Sequence, residues 1–318
     1  MINPTFQQPR FAWQNGRIVP FDQCVVHARS QGAFWGANVF EGVRAYWSAQ
    51  RAELSLFRLD DHLDRLVRSM KSLHMPARHN SEELRHACAE VLRANEYRQD
   101  VHICVVAYFD LPPNLDPLGY TEEVGMHITA IPAPRSAGFH SGVAASISSW
   151  RRIGDDTMPP RIKTGANYHN SRLAQHEALR NGFGTTLLLN QRGTVAEAPG
   201  SCVMMYREGR LTTPPGTSGV LEGITVATVE ALAAEHLGLP VERREIDRTE
   251  LYVADELFLC GTLAEILPVV SVDRIPVGTG EPGALVRRLQ ALFDAAARAT
   301  AGAEEWSTPV WDGAPALR

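Results

Sequence analysis

The sequence predicts an α/β chain of the α+β type, with a small N-terminal domain over residues 1–135 and a larger C-terminal domain over residues 136–318. Three observations lead there. At 318 residues the chain is long for one core, against a prior of about 150 residues per domain. Segments of period two alternate along it with runs of period 3.6. The strand-like run Val124 to Ile131 ends in Pro132, Ala133 and Pro134, a proline pair that suits a domain boundary.

In chain order, Gly16 to Tyr46 alternates or runs apolar, with Gly32, Gly36 and Gly42 interspersed, which reads as strands and tight turns. Leu63, Leu66, Val67, Met70 and Leu73 keep the spacing of one helix face, with Asp60 and Asp61 placed to cap its start. Ser81, with Glu82 and Glu83 behind it, opens a second helix that aligns Leu84, Ala87, Cys88, Val91 and Leu92. Strands follow over Val101 to Phe109 and Val124 to Ile131, separated by Pro112, Pro113 and Pro117. Beyond the boundary a strand is expected near Val143 to Trp150, then an irregular Met158-Pro159-Pro160 entry to Lys163, then a helix from Asn167 to Arg180 closed by Gly182. Thr185 to Asn190, Val195 onward, Ser201 to Tyr206 and Leu211 to Thr213 read as a meander with hairpin turns. A helix from Thr225 to before Gly238, strands at Val241 to Ile246 and Leu257 to Cys260, and a helix from Leu285 to Ala297 complete the chain.

Composition narrows the function classes. With 44% hydrophobic and 21% charged residues and a net charge of −5 spread over both signs, nothing favours nucleic acid or an anionic membrane as partner. Basic stretches such as Arg151-Arg152 are too short to form a patch. Pro4, Pro9 and several polar residues interrupt Met1 to Arg17, where a signal peptide needs an apolar core. The most apolar runs fall below the roughly 18 to 20 residues of a membrane span. Cys24, Cys88, Cys104, Cys202 and Cys260 are scattered, with no C-x-x-C pair for zinc or redox work. A soluble protein of the reducing cytoplasm is expected, with no metal.

Leu221-Glu222-Gly223-Ile224-Thr225 ends where a helix begins, and first-turn N–H groups with the positive dipole end bind anions. The plainer reading is that Thr225 only caps the helix. Gly261-Thr262, just after a strand, can add a hydroxyl and backbone donors to the same anion, or can be an ordinary turn. Arg65 is a third candidate, although such an arginine is often merely solvated or ion-paired. Lys163, between Pro159-Pro160 and Thr164-Gly165, has a backbone set by loop chemistry and a stem able to enter a cleft. Burial there would favour the neutral amine that forms imines. Tyr168 falls in the next helix's first turn, within reach of a ligand on Lys163, or is a core aromatic. Glu197, among Val195, Ala196 and Ala198, is either edge-exposed or buried against a cation.

Taken together these segments resemble a known family. Lys163-Thr164-Gly165-Ala166-Asn167-Tyr168 looks like the lysine motif of fold-type-IV pyridoxal-phosphate enzymes. Val39-Phe40-Glu41-Gly42-Val43-Arg44-Ala45-Tyr46 resembles that family's near-N-terminal motif, and His62-Leu63-Asp64-Arg65-Leu66 its phosphate-arginine helix. Glu197 to Gly200, Leu221 to Thr225, Leu251 to Glu256 and Gly261 to Ile266 follow the branched-chain-aminotransferase pattern in order and spacing, from about Phe11 to Pro276. The resemblance implies a two-domain fold like that of D-amino-acid aminotransferase and pyridoxal 5'-phosphate as cofactor. It makes Lys163 the Schiff-base lysine and proton carrier, with Glu197 facing the pyridine nitrogen and Tyr168 the ring hydroxyl. Arg65, Gly223, Ile224, Thr225 and Thr262 would hold the phosphate, and Leu221 would cover the ring face. It also implies a homodimer or a multiple of it, in which a loop of the second subunit completes the substrate pocket.

The same comparison puts Trp35, Phe40, His102, Cys104 and Leu263 on the substrate side. There the chain departs from its pattern. His102 and Cys104 stand where a tyrosine and a carboxylate-binding arginine are usual, Trp35 where a tyrosine is common, and Leu263 where a small residue is usual; Ser201-Cys202 replaces a glutamate-asparagine pair. A lost arginine fork removes about 1.5 to 3 kcal/mol of charge-assisted bonding, unless Arg44 or His27 supplies the charge. The expected reaction is amino transfer from a branched-chain-like, apolar or aromatic amino acid to a 2-oxo acid. Alternatives are an (R)-selective amine or D-amino-acid transaminase, an aminodeoxychorismate lyase and, from another class, an inactive pyridoxal-phosphate-binding protein.

Overall fold

The computed structural model describes residues 8–116, 119–300 and 304–311; Pro4 and Pro117, on which two of the readings above drew, lie outside them. The chain forms two compact units: Met1–Pro134 with Ile162–Ala166 and Ala295–Arg318, and Arg135–Arg161 with Asn167–Asp294. The first break agrees with the proline pair, but a single cut at residue 135 does not describe the division. Two later segments join the first unit because they pair with its sheet. Thr164 bridges Val39, and the strand Ser307–Pro309 pairs with Glu53–Phe57.

In the first unit the elements are β1 (Phe11–Gln14), β2 (Arg17–Pro20), the short helix α1 (Gln31–Phe34), β3 (Asn38–Ser48), β4 (Glu53–Phe57), α2 (Leu59–Ser72), α3 (Ser81–Asn95), β5 (Val101–Phe109) and β6 (Val124–Pro132). Their sheet runs Ser307–Pro309, β4, β3, β5, β6, β1, β2, antiparallel at each pairing. Side chains alternate across it. Val101, Ile103, Val105 and Ala107 are buried in one core with Leu63, Leu66 and Met70 of α2 and Leu84, Cys88 and Leu92 of α3. His102, Cys104 and Val106 of the same strand point to the other face and are only half-buried.

Local chemistry sets the helix ends, with two corrections to the sequence reading. Asn80, not Ser81, caps α3: its side chain accepts from Glu83 N–H while the Glu83 carboxylate accepts from Asn80 N–H. Asp60 and Asp61 lie inside the first turn of α2, where they favour the positive dipole end, and its cap is Arg58 in left-handed backbone. Val67 is off the core face and exposed.

The second unit holds β7 (Val143–Arg151), α4 (Asn167–Arg180), β8 (Thr185–Leu189), β9 (Glu197–Ala198), β10 (Ser201–Arg207), β11 (Arg210–Thr213), α5 (Ile224–Leu237), β12 (Val241–Arg243), β13 (Glu256–Gly261), β14 (Glu265–Val272) and β15 (Ile275–Pro276); α6 (Ala284–Ala297) follows. The sheet order is β12, β11, β10, β13, β14, β7, β8, with β9 on β10 and β15 on β14. The expected meander is therefore only partial. The ribbon β9–β10–β11 is antiparallel and β8 turns back on Val195 through an antiparallel bridge at Leu189 as expected, but in the sheet β8 lies at the far edge, parallel to β7 across the helix α4. The strand expected to Ile246 stops at Arg243, and Ile246 instead accepts a bond from Val195 N–H.

Candidate active site

Lys163 lies in the segment of the first unit that bridges β3. Its carbonyl accepts Phe40 N–H at 2.9 Å and its N–H donates to Ser69 Oγ of α2 at 3.3 Å. Two residues on, Gly165 N–H donates to Asn38 Oδ1 at 3.0 Å. Strand and helix thus clamp the main chain on both sides of the lysine, leaving the stem to be directed by packing. The Nζ stands 4.5 Å from the centre of the Phe40 ring, a cation–π distance. Lys163 is half-buried rather than buried.

Phe40, Gly42 and Arg44 of β3 face Val106, Cys104 and His102 of β5 in register, so these six share one face of the sheet. The His102 ring leans over Gly42, where a Cβ would lie 2.6 Å from Nε2 and would have to push the ring aside. Burial, then the charges of Lys163, Arg44 and His62, draws His102 down to about 4. Burial pushes the Cys104 thiol up to about 11 against the pull of Lys163. Both are neutral near pH 7. Arg44 is buried, donates Nη2 to Ala133 O at 2.6 Å and lies over the Tyr46 ring. His27 is exposed and accepts Arg29 N–H. Trp35 follows α1, edge-on to Phe34, and is 52% exposed.

On the core side of β3, Glu41 is fully buried against α2. Arg65 donates Nε to Oε1 at 2.7 Å and Nη2 to Oε2 at 2.8 Å, and His62 Nδ1 lies 2.7 Å from Oε2. His62 and Arg65 are three residues apart and so share a helix face. Burial alone would raise the Glu41 carboxyl; the Arg65 fork and His62 outweigh it and bring it to about 2. Burial, together with the Arg65 and Lys163 charges, pushes His62 below its usual range in spite of Glu41. Of the predicted anion contacts, Arg65 is therefore one whose orientation is set by a buried carboxylate.

The second unit brings Glu197, Leu221, Gly223 and Gly261 together around β10. Cys202 pairs in register with Glu197 of β9 on one side and Cys260 of β13 on the other, and its Sγ lies 3.5 Å from Leu221 O. Glu197 is buried, and the cation sought for it is Arg152: Nη2 lies 2.6 Å from Oε1. Leu221 N–H donates to Oε2 at 2.9 Å. Gly223 caps α5 with no side-chain bond, and Thr225 is one residue inside the helix, so the plainer reading of Thr225 as the cap does not hold. A Cβ on Gly223 would meet Cys202 Sγ at 2.8 Å. Gly261, where β13 ends, lies against Gly200 and Ser201, which brings Thr262 beside the β9–β10 turn; Leu263 after it is 52% exposed. Tyr168 stands in the first turn of α4, half-buried and not a core aromatic.

Sequence reasoning missed four residues that hold these groups: Glu41, His62 and Ser69 in the first unit and Arg152 in the second. The signal for His62 and Ser69 was present, since they fall on one helix face with Arg65; Glu41 lies on a strand, where only its place among apolar residues marks it. For Arg152 the only signal was the need of Glu197 for a cation.

Comparison with known proteins agrees with this geometry. Residues 38–272 match the family described as amino-transferase class IV. A probable branched-chain-amino-acid aminotransferase of Aquifex aeolicus is 37% identical over 306 residues, covering 95% of this chain and 97% of that one. Among solved structures, the branched-chain amino acid aminotransferase of Thermobaculum terrenum in its PLP form is 42% identical at a TM-score of 0.89, covering 96% of this chain and 99% of that one. The branched-chain aminotransferase of the archaeon Thermoproteus uzoniensis, solved with norvaline, is 35% identical at a TM-score of 0.89, covering 95% and 99%. With a mixed α/β fold of two sheets, an amine clamped at position 163 and matches of this extent, the chain belongs to the amino-transferase class IV family, the fold-type-IV aminotransferases.

Proposed function

We propose that this aminotransferase takes its amino group from amino acids with apolar, uncharged side chains, branched-chain ones first, and that Lys163 is its point of covalent attachment to pyridoxal phosphate. The carrying observation is the Lys163 segment: main chain fixed by Phe40 and Ser69, and amine over an aromatic ring. The residues present fit the cofactor. The start of α5 offers main-chain donors with no capping side chain. Gly223 leaves space beside Cys202 that a Cβ would fill. Glu197 is a buried carboxylate for a protonated ring nitrogen.

When bound, the cofactor supplies an aldehyde that takes over the amino group and a ring that accepts the electron pair of the α-carbon. The chain's own residues do the rest. Lys163 Nζ would be the group that attaches the cofactor and, once free, the base that moves the proton of the substrate α-carbon. Glu197 would keep a proton on the ring nitrogen, Tyr168 would donate to the ring oxygen, and Leu221 would pack on the ring. Ile224 N–H, Thr225 and Thr262 would hold the phosphate, with Arg65 the further anion contact that the resemblance implies.

The substrate class follows from the face that carries Phe40. His102 and Cys104 are neutral there, and the Arg44 guanidinium is turned to Ala133 and Tyr46. A second substrate carboxylate would find no arginine fork from position 104. The test is the loss of the imine absorbance band when leucine, glutamate or (R)-1-phenylethylamine is added to holoenzyme. Leucine is expected to discharge it and glutamate only weakly; discharge by the amine and not by leucine contradicts the reading. Cys104→Arg is expected to raise the rate with glutamate relative to leucine by about ten- to a hundredfold, the worth of one charge-assisted pair.

We read the working form as a homodimer in the cytoplasm. Phe21, Val25, Phe34 and Trp35 expose apolar surface of the kind a second subunit covers, and all five cysteines are free thiols.

A further inference from the structure

Glu197 lies among Val195, Ala196 and Ala198, each buried, where an unaccompanied carboxylate would be costly. Arg152, the residue after β7, offsets that cost and is itself only 4% exposed. Its main chain is fixed on both sides: N–H donates to Leu189 O at 2.9 Å and the carbonyl accepts Gln191 Nε2 at 3.1 Å. Its guanidinium closes a ring. Nη2 reaches Glu197 Oε1 at 2.6 Å and Nε donates to Gly219 O at 3.2 Å. Two residues beyond Gly219, Leu221 N–H returns to Glu197 Oε2 at 2.9 Å. Glycine suits position 219 because φ is +81°, a backbone conformation that strains any L side chain. The ring closes just ahead of Gly223, the cap of α5.

We propose that Arg152 is a positioning residue for the cofactor, holding Glu197 aimed and ionised and, through Gly219, fixing the strand of chain that leads to the phosphate-binding helix end. The proposal rests on the reading of Glu197 as the partner of the pyridine nitrogen. A carboxylate shared with a guanidinium is a weaker proton acceptor than one standing alone. With Arg152 present, the proton between Glu197 and the ring therefore stays on the nitrogen, where electron withdrawal needs it. One arginine thus serves the nitrogen end and the phosphate end together.

Wild type, Arg152→Lys and Arg152→Met, each loaded with pyridoxal phosphate, are compared in three measurements: the site of borohydride labelling, the rate of cofactor release on dilution, and the pH profile of the leucine half-reaction. Labelling is expected at Lys163 in all three. Arg152→Met is expected to release cofactor about tenfold faster, the scale of one charge-assisted bond. The acid limb of its pH profile should move to higher pH, with Arg152→Lys between it and wild type. Should Arg152→Met not fold, the faster release and shifted limb are read in Arg152→Lys alone. A wild type labelled at Lys163, with variants that match it in release and pH profile, overturns the role of Arg152 while leaving the cofactor reading intact. A wild type that is not labelled at Lys163 overturns both.

Discussion

Glu41 shows how much a single residue can decide. It belongs to a strand whose other inward residues are Val39, Val43 and Ala45, and it is buried as deeply as they are. Its charge survives there because Arg65 and His62 satisfy both oxygens. Acid stability follows from the directions of the shifts. His62 is held below its ordinary 6.5, so as pH falls past that value the unfolded chain takes up a proton that the folded one refuses, and stability declines. Glu41, lowered from 4.5 to about 2, adds stability that is complete above 4.5 and lost as pH falls toward 2. Glu41→Gln is expected to cost about 3–5 kcal/mol at neutral pH, the usual effect of breaking a buried pair from one side, and to remove the carboxylate's share of the acid loss. Urea unfolding of both proteins from pH 7 to 3 measures this. Parallel stability curves would contradict it.

At the scale of elements, a helix in each unit presents proposed site residues. α2 presents apolar residues to the sheet and, on the same buried side, His62, Arg65 and Ser69; the packing that stabilises the helix therefore also aims its polar groups. α5 contributes its first turn, which Gly223 leaves uncapped by any side chain. Gly223 has ordinary backbone angles, so alanine fits the conformation, but the added Cβ must displace Cys202 Sγ from 2.8 Å. Gly223→Ala is expected to weaken pyridoxal-phosphate binding about tenfold, near 1.4 kcal/mol, with little change in the melting temperature of the cofactor-free protein. Fluorescence titration and a thermal melt separate the two effects; unchanged affinity would show that the α5 turn does not hold the phosphate.

Elements were legible where a pattern is local and hidden where the partner is distant. The helices α2, α3, α4 and α5 were readable because apolar spacing and end signals lie within one segment. β4 was not, since its outer neighbour Ser307–Pro309 comes from the far end of the chain. β14 contains Pro268, a residue that argues against a strand interior; the proline is tolerated because pairing with β7 begins only at Val269. Motif order is what singles out Lys163, Tyr168 and Glu197 as candidates, whereas Arg152 stands in the sequence only as half of a short basic pair. Its role exists only once β9 brings Glu197 to it.

For the whole molecule, one unit carries Lys163 and Arg65 and the other carries Glu197 and the first turn of α5 proposed to bind the phosphate, each unit stabilised by its own sheet and core. Pyridoxal phosphate is proposed to be held by a covalent bond at a single lysine, Lys163. The most direct test is borohydride reduction of pyridoxal-phosphate-loaded protein followed by peptide mass spectrometry, with Lys163→Ala alongside. A phosphopyridoxyl group on Lys163 alone, absent from the variant together with all amino transfer, is the expected result. A label on another residue, or amino transfer that persists in Lys163→Ala at the wild-type rate, would contradict the account.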